Sequence, residues 1–224
     1  MKIFRITSLT FISALLLLLP GCHIPGYVKA GKPYPAEQPA EAKMPFAPGF
    51  GKALYKAALE VNGRGFSGLM MIKAFEDGKY RIAFFSEVGL NFFDLELQPS
   101  AKPNKMEMVV NNIYSPLDRA FLLKKFEKYF SMLLARGPVQ SRYDTYRREE
   151  GEMAMALVDS YRGRDAYLGQ SPEGPYTGIS NYGGLFHKER ITITLAPAKD
   201  SQPPHSILIV QAGFRLSFRL DLVE

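Results

Sequence analysis

The chain has 224 residues, with 28 basic and 22 acidic side chains, a formal charge of +6 and a single cysteine. The charge is not gathered into a dense basic stretch: Arg64, Arg136, Arg142 and Arg162 are scattered, so no nucleic acid is expected as a partner. One cysteine excludes an internal disulfide and a thiolate metal cluster, which leaves stability to a hydrophobic core that a chain of this size can bury.

Residues 1–21 open with Lys2 and Arg5 and continue as an apolar run from Phe11 to Leu19, broken only by Ser13. That run is shorter than the roughly 18 to 20 apolar residues a bilayer-spanning helix needs, so it reads as a signal peptide. Leu19-Pro20-Gly21-Cys22 resembles the lipobox of bacterial lipoproteins. The resemblance implies cleavage just before Cys22, a diacylglyceryl group on its thiol and a fatty acyl group such as palmitate on its amine. Each buried CH₂ is worth about 0.8 kcal/mol, so two or three chains anchor a protein durably. Removing Lys2 and Arg5 with the leader leaves a charge of +4, which attracts anionic headgroups only weakly at physiological salt.

Residues 22–50 contain Pro25, Pro33, Pro35, Pro39, Pro45 and Pro48 and read as a tether behind the lipidated cysteine. A single globular unit is expected over 51–224. Period-two alternation predicts strands at Leu54–Val61, Phe66–Lys73, Lys79–Ser86, Asn91–Gln98 and Met106–Asn111. Asn62-Gly63-Arg64-Gly65, Asp77-Gly78 and Gly89 supply turns between them.

The period then changes. Apolar residues from Leu117 to Ala135 fall at helical spacing, with Ser115 as expected cap, Pro116 at the first position and Asp118 at the positive end of the dipole. Gly137-Pro138 would end this helix, and Lys124, Lys125 and Lys128 are expected on its solvent side. Strands follow at Arg142–Glu149, Met153–Asp159, Asp165–Leu168, Gly183–His187, Arg190–Ala196 and Ser206–Val210. The clearest alternation is the last: Phe214, Leu216, Phe218, Leu220 and Leu222 share one face, while Arg215, Ser217, Arg219 and Asp221 share the other.

The lipobox, the Pro-rich tether, the string SGLMMIKAFEDGKYRIAFFSEVGLNFFDLELQ (Ser67–Gln98) and the segment SPLDRAFLLKKFEKYF (Ser115–Phe130) resemble outer-membrane lipoproteins of Bacteroidetes-type bacteria, relatives of the lipoprotein carriers and receptors LolA and LolB. The resemblance covers roughly residues 52–135. It implies a mainly β (α+β) fold: an open antiparallel half-barrel with a long amphipathic helix covering its concave face. It also implies non-covalent binding of an acyl chain or a lipidated client, a membrane as partner through the lipid anchor, and a place on the periplasmic side of the outer membrane. His23 after the cysteine, where enteric inner-membrane retention uses Asp, agrees with that place. In the receptor, a loop between early strands carries an apolar residue to the membrane. Leu90, in the turn Val88-Gly89-Leu90, stands in the comparable position, although a plain hairpin with a half-buried leucine gives the same pattern.

No signature of catalysis stands out, and no metal or cofactor is expected. His23, His187 and His205 lack metal-ligand spacing, Gly183-Gly184 lacks the phosphate-loop pattern, and Asp94 and Glu96 read as one wet strand face. The candidate lipid-lining residues are apolar. Phe66, Met70 and Ile72, then Tyr80, Ile82 and Phe84, then Phe93, Leu95 and Leu97 fall on inward positions of successive strands. Phe121, Phe126, Tyr129, Phe130 and Leu133 would face them from the helix. Such faces make an ordinary packed core or the wall of a hollow, and pattern does not distinguish the two. The alternative to a carrier is a structural or assembly lipoprotein that recruits another envelope protein and holds no lipid.

Overall fold

The computed structural model describes Phe46 and residues 50–101, 106–134, 141–148, 151–160, 163–169, 176–183, 188–196 and 203–223, with side chains except at 141–164, 169, 182, 183 and 188–190. The leader, Cys22, His23, the tether apart from Phe46 and Phe50, Gly137-Pro138 and His187 lie outside the described residues.

Five strands come first: β1 (Lys52–Val61), β2 (Arg64–Ala74), β3 (Tyr80–Phe85), β4 (Asn91–Pro99) and β5 (Met106–Ile113). They form the antiparallel meander that alternation predicts. The helix α1 (Ala120–Leu134) follows. Seven more strands follow among the described residues: β6 (Ser141–Arg148), β7 (Gly151–Ser160), β8 (Gly163–Gly169), β9 (Tyr176–Gly183), β10 (Lys188–Ala196), β11 (Ser206–Gln211) and β12 (Leu216–Leu222).

All twelve strands belong to one antiparallel sheet, ordered β5-β4-β3-β2-β1-β12-β11-β10-β9-β8-β7-β6. Every neighbouring pair but one is consecutive in sequence. The exception joins the first strand to the last, from Tyr55 opposite Leu222 to Val61 opposite Leu216. β5 and β6 therefore lie at opposite ends of the strand order, and the sheet is open. α1 is part of the connection between those two edges.

The sheet bends strongly. Strands lie about 4.8 Å apart, so β3 and β12, three spacings apart, would be separated by roughly 14 Å in a flat sheet. Phe84 of β3 and Phe218 of β12 instead have ring centroids 5.9 Å apart, and Phe93 of β4 reaches Phe218 at 6.4 Å. These side chains converge because they share the concave face of a curled sheet. Gly68 lets the curl form: a Cβ there would lie 2.0 Å from the carbonyl oxygen of Phe85 and 2.8 Å from the Cα of Ser86. At the β1–β2 hairpin, Asn62 and Gly63 both have positive φ, 50° and 78°, as a two-residue primed turn requires.

Three local features differ from what the pattern anticipates or go beyond it. The helix has 15 residues, about 22 Å of axis, and starts at Ala120 rather than Leu117. Ser115 accepts from the Asp118 N–H (3.2 Å) and Tyr114 from the Leu117 N–H (2.8 Å), so Ser115-Pro116-Leu117 make a turn in place of a cap and first helical residues. That turn drops Leu117 fully into the core before the chain changes direction. Asp118 sits before the helix, which has no acid in its first turn. The second is a strand: 184–187 of the strand expected at Gly183–His187 lie outside the described residues, while β9 runs from Tyr176 to Gly183. Its buried positions include Ser180 and Asn181, so apolar alternation does not mark it. The third concerns the end of the tether. Phe46 is buried in the core and packs against Phe50 at 4.9 Å, ahead of the expected start of the globular unit.

Candidate functional site

The inner face of the N-terminal half is built by alternation. β1 turns Tyr55, Ala57 and Leu59 inward, β2 turns Met70 and Ile72, β3 turns Tyr80, Ile82 and Phe84, and β12 turns Leu216, Phe218 and Leu220. β4 breaks the period. A bulge between β3 and β4 lets the consecutive residues Phe92 and Phe93 both become buried, with Leu95 and Leu97 following.

Twelve of the fourteen predicted lining residues are at most 5% exposed, from Met70 and Ile72 through Phe93 to Leu133. α1 sends Phe126 and Phe130 into the middle of this set. Phe93 meets Phe126 at 5.4 Å and Phe130 at 6.3 Å, while Phe218 meets the same two rings at 6.2 and 6.3 Å. Phe84 closes the cluster against Phe93 at 5.4 Å. Such tilted and edge-to-face contacts are those of a packed aromatic core. Between α1 and β3, β4 and β12, rings fill the space.

Two lining residues are placed differently. Phe121 is 46% exposed, at the first turn of α1, where its ring stacks edge-on against Phe214 at 5.5 Å. It precedes the inward stripe that Leu122 and Phe126 begin, so its expected inward position is corrected. Phe66 is half-buried at the β1–β2 end of the sheet, beside Phe92 (5.4 Å) and Tyr114 (6.5 Å).

Toward the C-terminal half, α1 is held by polar groups. Lys128 Nζ lies 3.0 and 3.1 Å from the two carboxylate oxygens of Asp165 on β8, and Asn181 Nδ2 of β9 donates to the same carboxylate at 2.6 Å. The Lys128 and Asp165 side chains are 14% and 5% exposed, so this ion pair is largely desolvated. Lys125 Nζ and the Tyr129 hydroxyl both donate to Gln211 Oε1 at the end of β11, at 2.9 and 3.2 Å. The Tyr167 hydroxyl donates to the Met132 carbonyl at 3.0 Å. Lys125 and Lys128 thus face the sheet, against their expected place in solvent; Lys124 alone of the three is exposed. Burial pushes the hydroxyls of Tyr55, Tyr129 and Tyr167 well above the ordinary tyrosine pKa, which keeps them neutral donors.

Sequence reasoning missed Asp165, Asn181 and Gln211 because a polar residue at an inward position looks like an interruption of the strand pattern. Phe46, Phe92 and Phe218 were absent from the lining set. The Phe92-Phe93 doublet was a legible sign of a bulge, and Phe218 already stood on a recognised apolar face. Asp94 also departs from a simple wet face. It is 8% exposed and paired with Arg81 through Nε at 2.9 Å, and that hydrogen bond holds its carboxyl below the usual range.

The margins of the interior are apolar and open. At the β3–β4 turn Val88 is 92% exposed and Leu90 45%, so Val88 is the tip and Leu90 its shoulder. The turn is closed by Leu90 N–H donating to Ser86 Oγ at 2.9 Å. Exposed Tyr114 and Phe121 stand at the same end of the molecule, linked inward through Phe92, Phe66 and Phe214. Along β5, Val110 opposite Leu95 is 36% exposed, with Met108 and Ile113 partly buried against the core. Among the described residues, no group of His, Cys, Asp and Glu could hold a metal ion, and no helix is long and apolar enough to cross a membrane.

No family model matches the chain, and no curated protein matches it. Among solved structures it is similar to a domain provisionally named an outer membrane lipoprotein-sorting protein domain from Vibrio parahaemolyticus. That match has 8% identity and a TM-score of 0.48, and covers 79% of this chain and 85% of the other. It is also similar to a LolA superfamily protein from Nitrosomonas europaea (6%, 0.45, 77% and 83%) and a DUF1329 family protein from Desulfovibrio piger (6%, 0.40, 77% and 84%). At these scores the likeness carries no argument about activity, which rests on this chain's own residues.

Proposed function

We propose that this protein is a lipid-anchored component of the cell envelope, held by Cys22 at the periplasmic face of the outer membrane. Its curled sheet, a half-barrel of the LolA/LolB kind, takes an acyl chain, free or on a lipidated client, between α1 and the concave face. Binding is non-covalent, and no bond is made or broken. One observation carries the reading: the interior is apolar on both walls and continues on β5 into partly buried Met108 and Ile113 and exposed Val110. The polar ties of α1 lie toward β8, β9 and β11, apart from one hydrogen bond from the Met106 N–H to Ser131 Oγ at the start of β5, so its other flank can part from the sheet by separating rings and breaking that single bond. An acyl chain would enter there by displacing Phe93, Phe126 and Phe130, which rotate as units. Phenylalanine and methionine, 16 and 9 in the chain, suit a wall that must repack around chains of different length.

Val88 and Leu90 would meet the membrane at the moment of delivery. Replacing both by Glu should abolish co-sedimentation of the delipidated protein with vesicles while acyl uptake persists. Equal vesicle binding by the double variant removes the turn from the account.

A second reading is assembly without a ligand, and the closeness of the aromatic rings favours it. Native mass spectrometry of the protein extracted from its own cells separates the two. A species heavier by one acyl equivalent supports carriage. A bare folded species, even after incubation with excess fatty acid, supports assembly. Palmitate labelling that disappears in Cys22→Ser checks the anchor.

A further inference from the structure

The two edges of the sheet differ in composition. β6 reads SRYDTYRR, with Arg142, Asp144, Arg147 and Arg148 among its eight residues, a charge density that discourages pairing with another strand. β5 reads MEMVVNNI, and Glu107 is its one charge. Five of its eight residues are exposed, including Val109 at 44% and Val110 at 36%. α1 meets it at its first residue, where Ser131 Oγ accepts from the Met106 N–H at 3.4 Å. Its pairing with β4 is regular from Met106 to Val110, and the bulge comes only at Asn111. In the strand order β4 is its one neighbour among the described residues, and its other side carries the backbone donors and acceptors of a regular strand.

We propose that β5 is a self-pairing edge through which two copies of this chain join. The axis is a twofold perpendicular to the sheet, the one relation that keeps strands antiparallel and leaves both concave faces on the same side. Opposite residues must then share a face, which places the axis on a residue of β5 and not between two. Centred on Val109, the register is chemically self-consistent. Val109 meets Val109 of the second copy on the convex face, and Met108 meets Val110 on the concave face. Glu107, whose carboxylate already accepts from Ser100 Oγ at 2.9 Å, falls opposite the Asn111–Asn112 bulge, so no like charges oppose each other and an asparagine amide can donate to it. A partner of unrelated sequence would need this pattern supplied; a second copy has it already. The pairing area of one short strand predicts a weak, concentration-dependent dimer.

The test uses the full chain in detergent, with Cys22→Ser so that one introduced thiol stands alone. Val109→Cys places two thiols opposite each other at a cross-strand distance a disulfide can bridge with little movement. Val210→Cys, 43% exposed on β11 within the sheet, is the control. Mild oxidation should convert the first into linked dimer and leave the second monomeric. By sedimentation the unaltered protein should dimerise with rising concentration, and Val109→Lys should lose the dimer with its melting temperature unchanged. Linked dimer no more abundant at position 109 than at 210, or a dimer that survives Val109→Lys, overturns the proposal.

Discussion

The two flanks of α1 rest on different chemistry. Toward β4 and β12 the helix lies on Phe93 and Phe218, which Phe84 of β3 backs, and aromatic contact holds it there. Toward β8, β9 and β11 it is tied by the Lys128–Asp165–Asn181 cluster and by Gln211. Rings supply burial but tolerate rotation and sliding, whereas a desolvated ion pair loses heavily if its partners move apart. The apolar flank therefore supplies stability and the polar flank supplies position. A helix held this way can move on one side without being released on the other.

The comparison breaks most severely at Phe218. It touches rings from β3, β4 and α1, so Phe218→Ala should cost about 4 kcal/mol in urea unfolding, and should speed amide exchange in α1 and in β1–β4 together. Asp165→Ala should cost about 3 kcal/mol by removing the carboxylate that holds Lys128 and Asn181. Its signature is different: exchange should rise in α1 while β1–β4 stay protected. If both variants loosen the same elements equally, the division between the flanks is wrong.

Gly68→Ala sharpens the point that the apolar flank depends on curvature. Its Cβ would run into the Phe85 backbone, and about 2 kcal/mol of destabilisation is expected from the forced shift. The smallest effect lies on the convex face. Asp94, held low by the Arg81 hydrogen bond, contributes stability that is present above the unfolded carboxylate pKa and lost as pH falls through its lower folded value. Asp94→Asn should cost no more than about 1 kcal/mol near neutrality, and stability curves of the two proteins should converge in acid.

These same flanks differ in how far they could be read from residues alone. β1–β5 and β12 were legible because one face is dry and the other wet, which writes period two into Leu216, Phe218 and Leu220 as plainly as into Tyr80, Ile82 and Phe84. On the polar flank β8 and β11 were also read as strands, but β9 and the inward roles of Asp165 and Gln211 were not: Ser180 and Asn181 are buried in β9, and a strand whose inward positions are polar carries no hydrophobic period. Leu117 continued the helical spacing but belongs to a turn, because burial of one leucine is satisfied as well by a turn as by a helix. Whether the wall residues enclose a hollow depends on where rings from separate strands converge. That distance, 5.9 Å between Phe84 and Phe218 across three strand spacings, arises from sheet curl, which no local pattern encodes.

The account depends on an aromatic interior that yields to a hydrocarbon tail. Titrating the intact protein with a fluorescent fatty acid tests it directly. Saturation near one equivalent, with an unlabelled acyl chain displacing the probe, is the predicted result. Absence of any saturable signal, from protein that still unfolds cooperatively, would contradict it.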